Sequence, residues 1–98
     1  MKALVLRHEP LFTLGQVLHT AGAGAAYTSE EMSEALSLHA MGEWGCVGAA
    51  TRRENDQAAV RGGRVRSAYK FEGREDLWIV TEYEGEDRHT TLLMASED

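Results

Sequence analysis

Ninety-eight residues are enough for one domain and too few for separate catalytic and regulatory halves. With 43% hydrophobic residues and two Trp the chain can bury a modest core, and its one cysteine, Cys46, cannot close an internal disulfide, which favours a reducing cytoplasm. A formal charge of −6 argues against a general nucleic-acid binder, because phosphate neutralisation dominates that affinity, and no apolar run is long enough to span a bilayer.

The start, Met1 to Leu6, is apolar but is stopped by Arg7, His8, Glu9 and Pro10, too soon for a signal-peptide core and its cleavage site. Residues 1–10 therefore read as an N-terminal extension of a single domain covering 1–98. Phe12 to Leu18 alternates loosely and predicts a first strand. Ala21 to Ala26 reads as a small-residue connector, without the glycine spacing of a dinucleotide site. Thr28 and Glu31 have capping-box spacing, and Met32, Ala35, Leu36 and His39 then fall on one face of an amphipathic helix that Gly42 ends. Glu43-Trp44-Gly45 is a tight link. A second helix is predicted from Ala50 to Arg61, stopped by Gly62 and Gly63, with a thin apolar face of Ala58, Ala59 and Val60. Three strands follow, Arg64–Phe71, Leu77–Glu84 and Arg88–Met94, joined by short turns that imply antiparallel neighbours. Residues 95–98 read as a disordered tail.

The alternation within those strands sorts their side chains. Val65, Ser67, Tyr69 and Phe71 share one face, and Arg64, Arg66, Ala68 and Lys70 the other. Leu77, Ile79, Thr81 and Tyr83 lie opposite Trp78, Val80, Glu82 and Glu84, while Thr90, Leu92 and Met94 align with Arg88. Ser67, Thr81 and Thr90 thus fall on buried faces, where each hydroxyl needs a carbonyl or another hydroxyl. His39 reads as a core histidine bonded to a carbonyl, Cys46 as a small buried hydrophobe, and Trp44 and Trp78 as core anchors. His8, His19, His39 and His89 lack ligand spacing, so neither a metal nor a cofactor is expected.

Charge is unevenly spread. Arg61, Arg64, Arg66 and Lys70 form a basic block, whereas Glu72, Glu75, Asp76, Glu84, Glu86 and Asp87 crowd the two turns that follow.

Several ordered motifs carry a family resemblance: Leu14-Gly15-Gln16-Val17, His39 to Gly45, Glu54-Asn55, Gly63-Arg64, Ser67-Ala68-Tyr69, Leu77 to Glu82, and Asp87-Arg88 with Thr90 to Leu93. Over roughly Leu14 to Leu93 the chain resembles a family of short uncharacterised bacterial proteins of plasmids and other mobile elements. Its members are often labelled plasmid-related, or type I restriction subunit M; a methyltransferase needs a nucleotide-binding domain much larger than this chain. The resemblance implies a mobile-element context and no established chemistry. The chain departs from the family pattern in its Ala/Gly-rich His19 to Tyr27, in Glu43 where the pattern has Asp, and in its ending after Leu93.

The predicted fold is α+β, with a four-stranded, mainly antiparallel sheet backed by two helices in the order β-α-α-β-β-β. The expected function is a non-enzymatic, cytoplasmic mobile-element protein that binds and inhibits a host defence nucleoprotein, of the anti-CRISPR or anti-restriction kind. Glu72, Glu75, Asp76, Glu84, Glu86 and Asp87, on adjoining turns, would occupy a groove of Lys and Arg meant for nucleic acid. A homodimer is compatible with this reading; direct general nucleic-acid binding and membrane association are not part of it. The alternative rests on topology: small ribonucleases of the RelE-like and barnase-like kinds share this element order, and the catalytic candidates would then be His39, Arg64, Ser67, Tyr69, Glu82 and Arg88.

Overall fold

The computed structural model describes residues 10–84 and 87–97. Its elements are β1 (Gln16–His19), α1 (Ala21–Ala26), α2 (Ser29–Ala40), α3 (Ala49–Arg61), β2 (Val65–Tyr69), β3 (Leu77–Glu84), β4 (Asp87–Met94) and a closing 3-10 turn (Ala95–Glu97). The strands form one sheet in the order β1-β4-β3-β2. β2 with β3, and β3 with β4, are antiparallel, whereas β1 runs parallel to β4. A parallel neighbour needs a long return path, which the intervening helices and strands supply. The expected α+β fold is thus present, with a mixed sheet.

Three local expectations change. The strand expected from Phe12 to Leu18 is Gln16–His19 instead. Phe12 turns inward, its ring 5.3 Å from that of His39 and 6.1 Å from that of Trp44. Gly15 then redirects the chain at φ +66, where an added Cβ would lie 1.9 Å from the Arg88 carbonyl oxygen. The connector Ala21 to Ala26 is helix α1, capped by the Thr20 hydroxyl, which accepts from the Ala23 N–H at 3.0 Å. The two glycines lower its helix propensity and masked it in the sequence; the small side chains let it sit close on the sheet, with Ala23 fully buried. Of the expected tail, Ala95–Glu97 make the 3-10 turn, where Glu97 Oε1 accepts from Thr20 Oγ1 at 2.7 Å and from the Met94 N–H at 2.7 Å. Of the N-terminal extension, only Pro10 lies within the described residues.

α2 begins as its sequence predicts. Thr28 Oγ1 accepts from the Glu31 N–H and Glu31 Oε1 from the Thr28 N–H, so two otherwise orphaned donors are satisfied reciprocally. Its buried residues are Ala35, His39 and Ala40. α3 fully buries only Asn55, so a polar contact does much to hold it on the sheet. The Asn55 side chain accepts from the Arg66 N–H at 3.0 Å and donates to the Arg66 carbonyl at 2.6 Å. One residue pair further along β2, the Ala68 N–H and carbonyl are taken by the Trp44 carbonyl and the Cys46 N–H. These bonds close an edge that would otherwise offer its backbone to another strand.

The core lies between the helices and one sheet face. Ala23, Tyr27 and Ala35 pack on Tyr69, Leu77, Ile79 and Leu92, and a second cluster joins Phe12, Trp44 and Val65 with Ala58 and Ala59. The register places Ser67, Thr81 and Thr90 on that same face. Arg66, Ala68, Trp78, Val80, Glu82, His89, Thr91 and Leu93 occupy the opposite face, to which none of these helix residues belongs.

Candidate functional site

The most polar point of the interior is His39, in the last turn of α2 and fully buried. Its Nδ1 lies 2.5 Å from Ser67 Oγ on β2, and its Nε2 lies 2.9 Å from Thr81 Oγ1 on β3. Thr81 Oγ1 is 2.7 Å from Thr90 Oγ1 on β4, and Thr90 Oγ1 is 2.7 Å from the Leu14 carbonyl. The far end of this chain fixes its polarity. A carbonyl only accepts, so Thr90 gives it its one proton; Thr81 therefore donates to Thr90, and His39 Nε2–H donates to Thr81. Nδ1 is left as the acceptor for Ser67 O–H. Burial pushes the imidazole pKa down to about 4, which keeps this neutral tautomer across the physiological range.

Beside this chain, the Tyr69 hydroxyl donates to the Glu43 carbonyl at 2.7 Å, and burial pushes its pKa up to about 12. Trp44 Nε1–H donates to Asp56 at 2.9 Å, so the aromatic at the centre of the Gly42–Gly45 link ties to α3.

A serine donating to a histidine nitrogen is the geometry of a nucleophile and its base. Here it cannot meet a substrate. Ser67, His39 and Thr90 are each 0% exposed and Thr81 1%, and the histidine's second nitrogen is oriented by a threonine rather than an acid. The arrangement does what a satisfied buried polar network does: it fixes the packing of α2 on three strands in one register.

The catalytic candidates of the sequence do not converge. His39, Ser67 and Tyr69 cluster inside. Glu82 faces the other side of the sheet, paired in register with His89. Arg64 is exposed ahead of β2. Arg88 lies with its guanidinium carbon 3.9 Å from the Tyr83 ring centroid and donates to the Thr13 carbonyl at 3.0 Å. The carbonyl expected to hold His39 is replaced by two hydroxyls. Cys46, expected as a buried hydrophobe, is exposed with its Sγ 3.3 Å from the Ala68 carbonyl. Trp44 is a core anchor; Trp78 is half-buried on the outer sheet face, under the Arg66 guanidinium at 4.7 Å.

The acidic candidates are also divided. Glu72, Glu75 and Asp76 belong to the turn before β3, Glu84 closes β3, and Asp87 opens β4. The two turns are therefore not adjoining: they lie at opposite ends of an eight-residue strand, roughly 25 Å apart. Glu75 binds the Ser96 N–H and hydroxyl, and Asp76 is 3.7 Å from Lys70 Nζ, while Glu72 and Asp87 are exposed. Glu86 lies outside the described residues.

An apolar cleft of about 550 Å³ opens between Pro10, Leu14, the α2 residues Leu36 and Ala40, and Met41 just after that helix. Among the described residues no group of three or more His, Cys, Asp or Glu side chains is placed to hold a metal ion, and no helix is long and apolar enough to cross a membrane. Compared with protein-family models, curated proteins and solved structures, the chain matches none of them.

Proposed function

We propose that this protein acts by binding rather than by catalysis, and that its partner is a nucleic-acid-processing host defence complex of the anti-restriction or anti-CRISPR target kind. One observation carries the first half: among the described residues the side chains with nucleophile and base geometry, Ser67 and His39, are sealed in the core and hydrogen-bonded to their own partners. A group without access to substrate contributes packing, not chemistry.

For the second half, the acidic excess and the mobile-element resemblance support an inhibitor that competes for a basic groove. With Glu75 bound to the Ser96 N–H and hydroxyl and Asp76 beside the Lys70 cation, we assign the contact to the turn between β3 and β4, through Glu84, Glu86 and Asp87. The test is inhibition of purified restriction and CRISPR effector complexes. Inhibition should weaken steeply between about 50 and 200 mM salt, as a screened charge contact does, and should be lost when Glu84, Glu86 and Asp87 are changed to Lys. Inhibition unaffected by those reversals would refute the acidic-groove mechanism. RNA cleavage by the wild type, abolished in Arg64→Ala, would refute the binding reading itself.

A further inference from the structure

The molecule's charge is divided more sharply than its total indicates. Residues 52–70, most of α3 and all of β2, carry six basic residues (Arg52, Arg53, Arg61, Arg64, Arg66, Lys70) against two acidic ones, a net of +4. The rest of the chain carries four basic residues against fourteen acidic ones, a net of −10. The fold keeps the basic part together, because Asn55 holds α3 along the β2 edge. One of the two acids, Asp56, is already occupied by the Trp44 indole N–H.

On the outer side of this edge the cations form a row. Arg66 lies on β2, and Arg64 and Lys70 flank the strand's two ends, about 7 and 13 Å from Arg66 along an extended chain. The interval falls at Ala68, only 2% exposed, and the neighbouring strand fills it: Trp78 pairs with Ala68 in register. The Arg66 guanidinium lies 4.7 Å from the Trp78 ring centroid, and the Lys70 side chain is 75% exposed, with only a 3.7 Å surface contact to Asp76. Read along the strand, the row is cation, cation, aromatic, cation.

We infer that this α3–β2 edge is a binding track for single-stranded nucleic acid, with Arg64 and Lys70 neutralising phosphates towards its two ends and an unpaired base stacking on the Arg66–Trp78 pair between them. Those are the two elements such recognition combines. An acidic peptide would satisfy the cations and leave the ring unused; a duplex would withhold its base faces from Trp78. Glu82 of β3 shares this outer face, and most of the other acids fall outside residues 52–70, so a short segment is bound, and bound salt-sensitively. This proposal goes beyond the inhibitor reading and does not depend on it, since free oligonucleotide is measured with no defence complex present.

The experiment is fluorescence anisotropy of a labelled oligothymidine of about 12 nucleotides, titrated at about 50 and 200 mM salt. Binding is expected at the lower salt. The double variant Arg64→Ala with Lys70→Ala should weaken it about tenfold or more and reduce the slope of log affinity against log salt by about 1.4, two contacts at ~0.7 each. Trp78→Leu should weaken binding severalfold without changing that slope, and the tryptophan quenching seen on binding should persist in Trp78→Phe only at the level owed to Trp44. Arg64 and Lys70 are exposed, so circular dichroism of the double variant should match the wild type. Absence of binding at low salt, unchanged affinity in the double variant, displacement by polyglutamate as efficient as by unlabelled oligothymidine, or equal affinity for a duplex of the same length would each overturn the proposal.

Discussion

His39 Nδ1 and Ser67 Oγ lie 2.5 Å apart in the centre of the protein, with neither residue exposed to solvent. The serine is the donor in this pair. Ser67→Ala therefore leaves a buried acceptor unpaired and should cost roughly 1–3 kcal/mol. Thr81→Val removes the acceptor of His39 N–H and the donor to Thr90 together, and should cost more than Ser67→Ala. Replacing His39 by Leu in the Ser67→Ala background should cost less than the two single changes added, because no polar group then remains unsatisfied at that end. Urea unfolding of the double-mutant cycle reads this coupling directly.

The buried imidazole makes stability depend on pH with a definite sign. Its pKa is held down to about 4 in the fold, against an ordinary value of 6.5. Below about 6.5 the unfolded chain binds a proton that the native protein refuses, so stability falls as pH drops from 6.5 to 4 and this contribution levels off below 4. The contribution amounts to about 3 kcal/mol over that window. His39→Gln should flatten it. The measurement is the urea midpoint at pH 7, 5.5 and 4 for both proteins.

Glu31 contributes in the same direction over a lower range. Its carboxylate caps α2 and takes a forked contact from Arg74, at 2.7 and 2.9 Å, which holds its pKa down to about 2. A carboxylate with a depressed pKa stabilises the fold above its ordinary titration range, and that help is lost as pH falls from about 4.5 toward 2. In Arg74→Ala the Glu31 pKa should rise while the backbone cap persists, since the Thr28 contact does not involve the arginine. A carboxyl NMR titration distinguishes the two.

Asn55 substitutes for a missing fifth strand by satisfying both backbone groups of Arg66. Asn55→Ala should destabilise the protein by roughly 2–3 kcal/mol, two bonds lost and two backbone groups exposed or orphaned. Hydrogen exchange at the Arg66 amide should accelerate well beyond that at Ser67, whose alternating backbone faces β3. The adjoining closure depends on Gly45, at φ +78, where an added Cβ would lie 1.9 Å from the Ala68 carbonyl oxygen. Gly45→Ala should therefore detach the 44–46 segment from β2 and cost about 3 kcal/mol or more.

Periodicity made the hairpin half of the fold legible: β3 has its expected bounds, and β2 and β4 differ from theirs by a few residues. The Thr28–Glu31 spacing likewise marked the start of α2. The ingredients of the core network were legible too, because alternation put Ser67, Thr81 and Thr90 on a buried face and helical spacing put His39 on the face that meets it. Their junction was not, since Ser67 and Thr81 are 28 and 42 residues from His39 and only the register brings them to its two nitrogens. β1 was misplaced because all four of its residues are exposed, which leaves no apolar alternation to read. Trp78 looked like a core residue because an aromatic in a strand pattern is the same letter on either face; only the single-sided placement of the helices puts it beside Arg66 on the outside.

The most direct measurement follows one labelled single-stranded RNA through binding and cleavage in the same tube. Anisotropy should rise with protein at low salt while the RNA runs intact on a denaturing gel, because the surface binds and the histidine is sealed. RNA cut by the protein, with cutting abolished in His39→Gln while the variant remains folded, would contradict the binding reading.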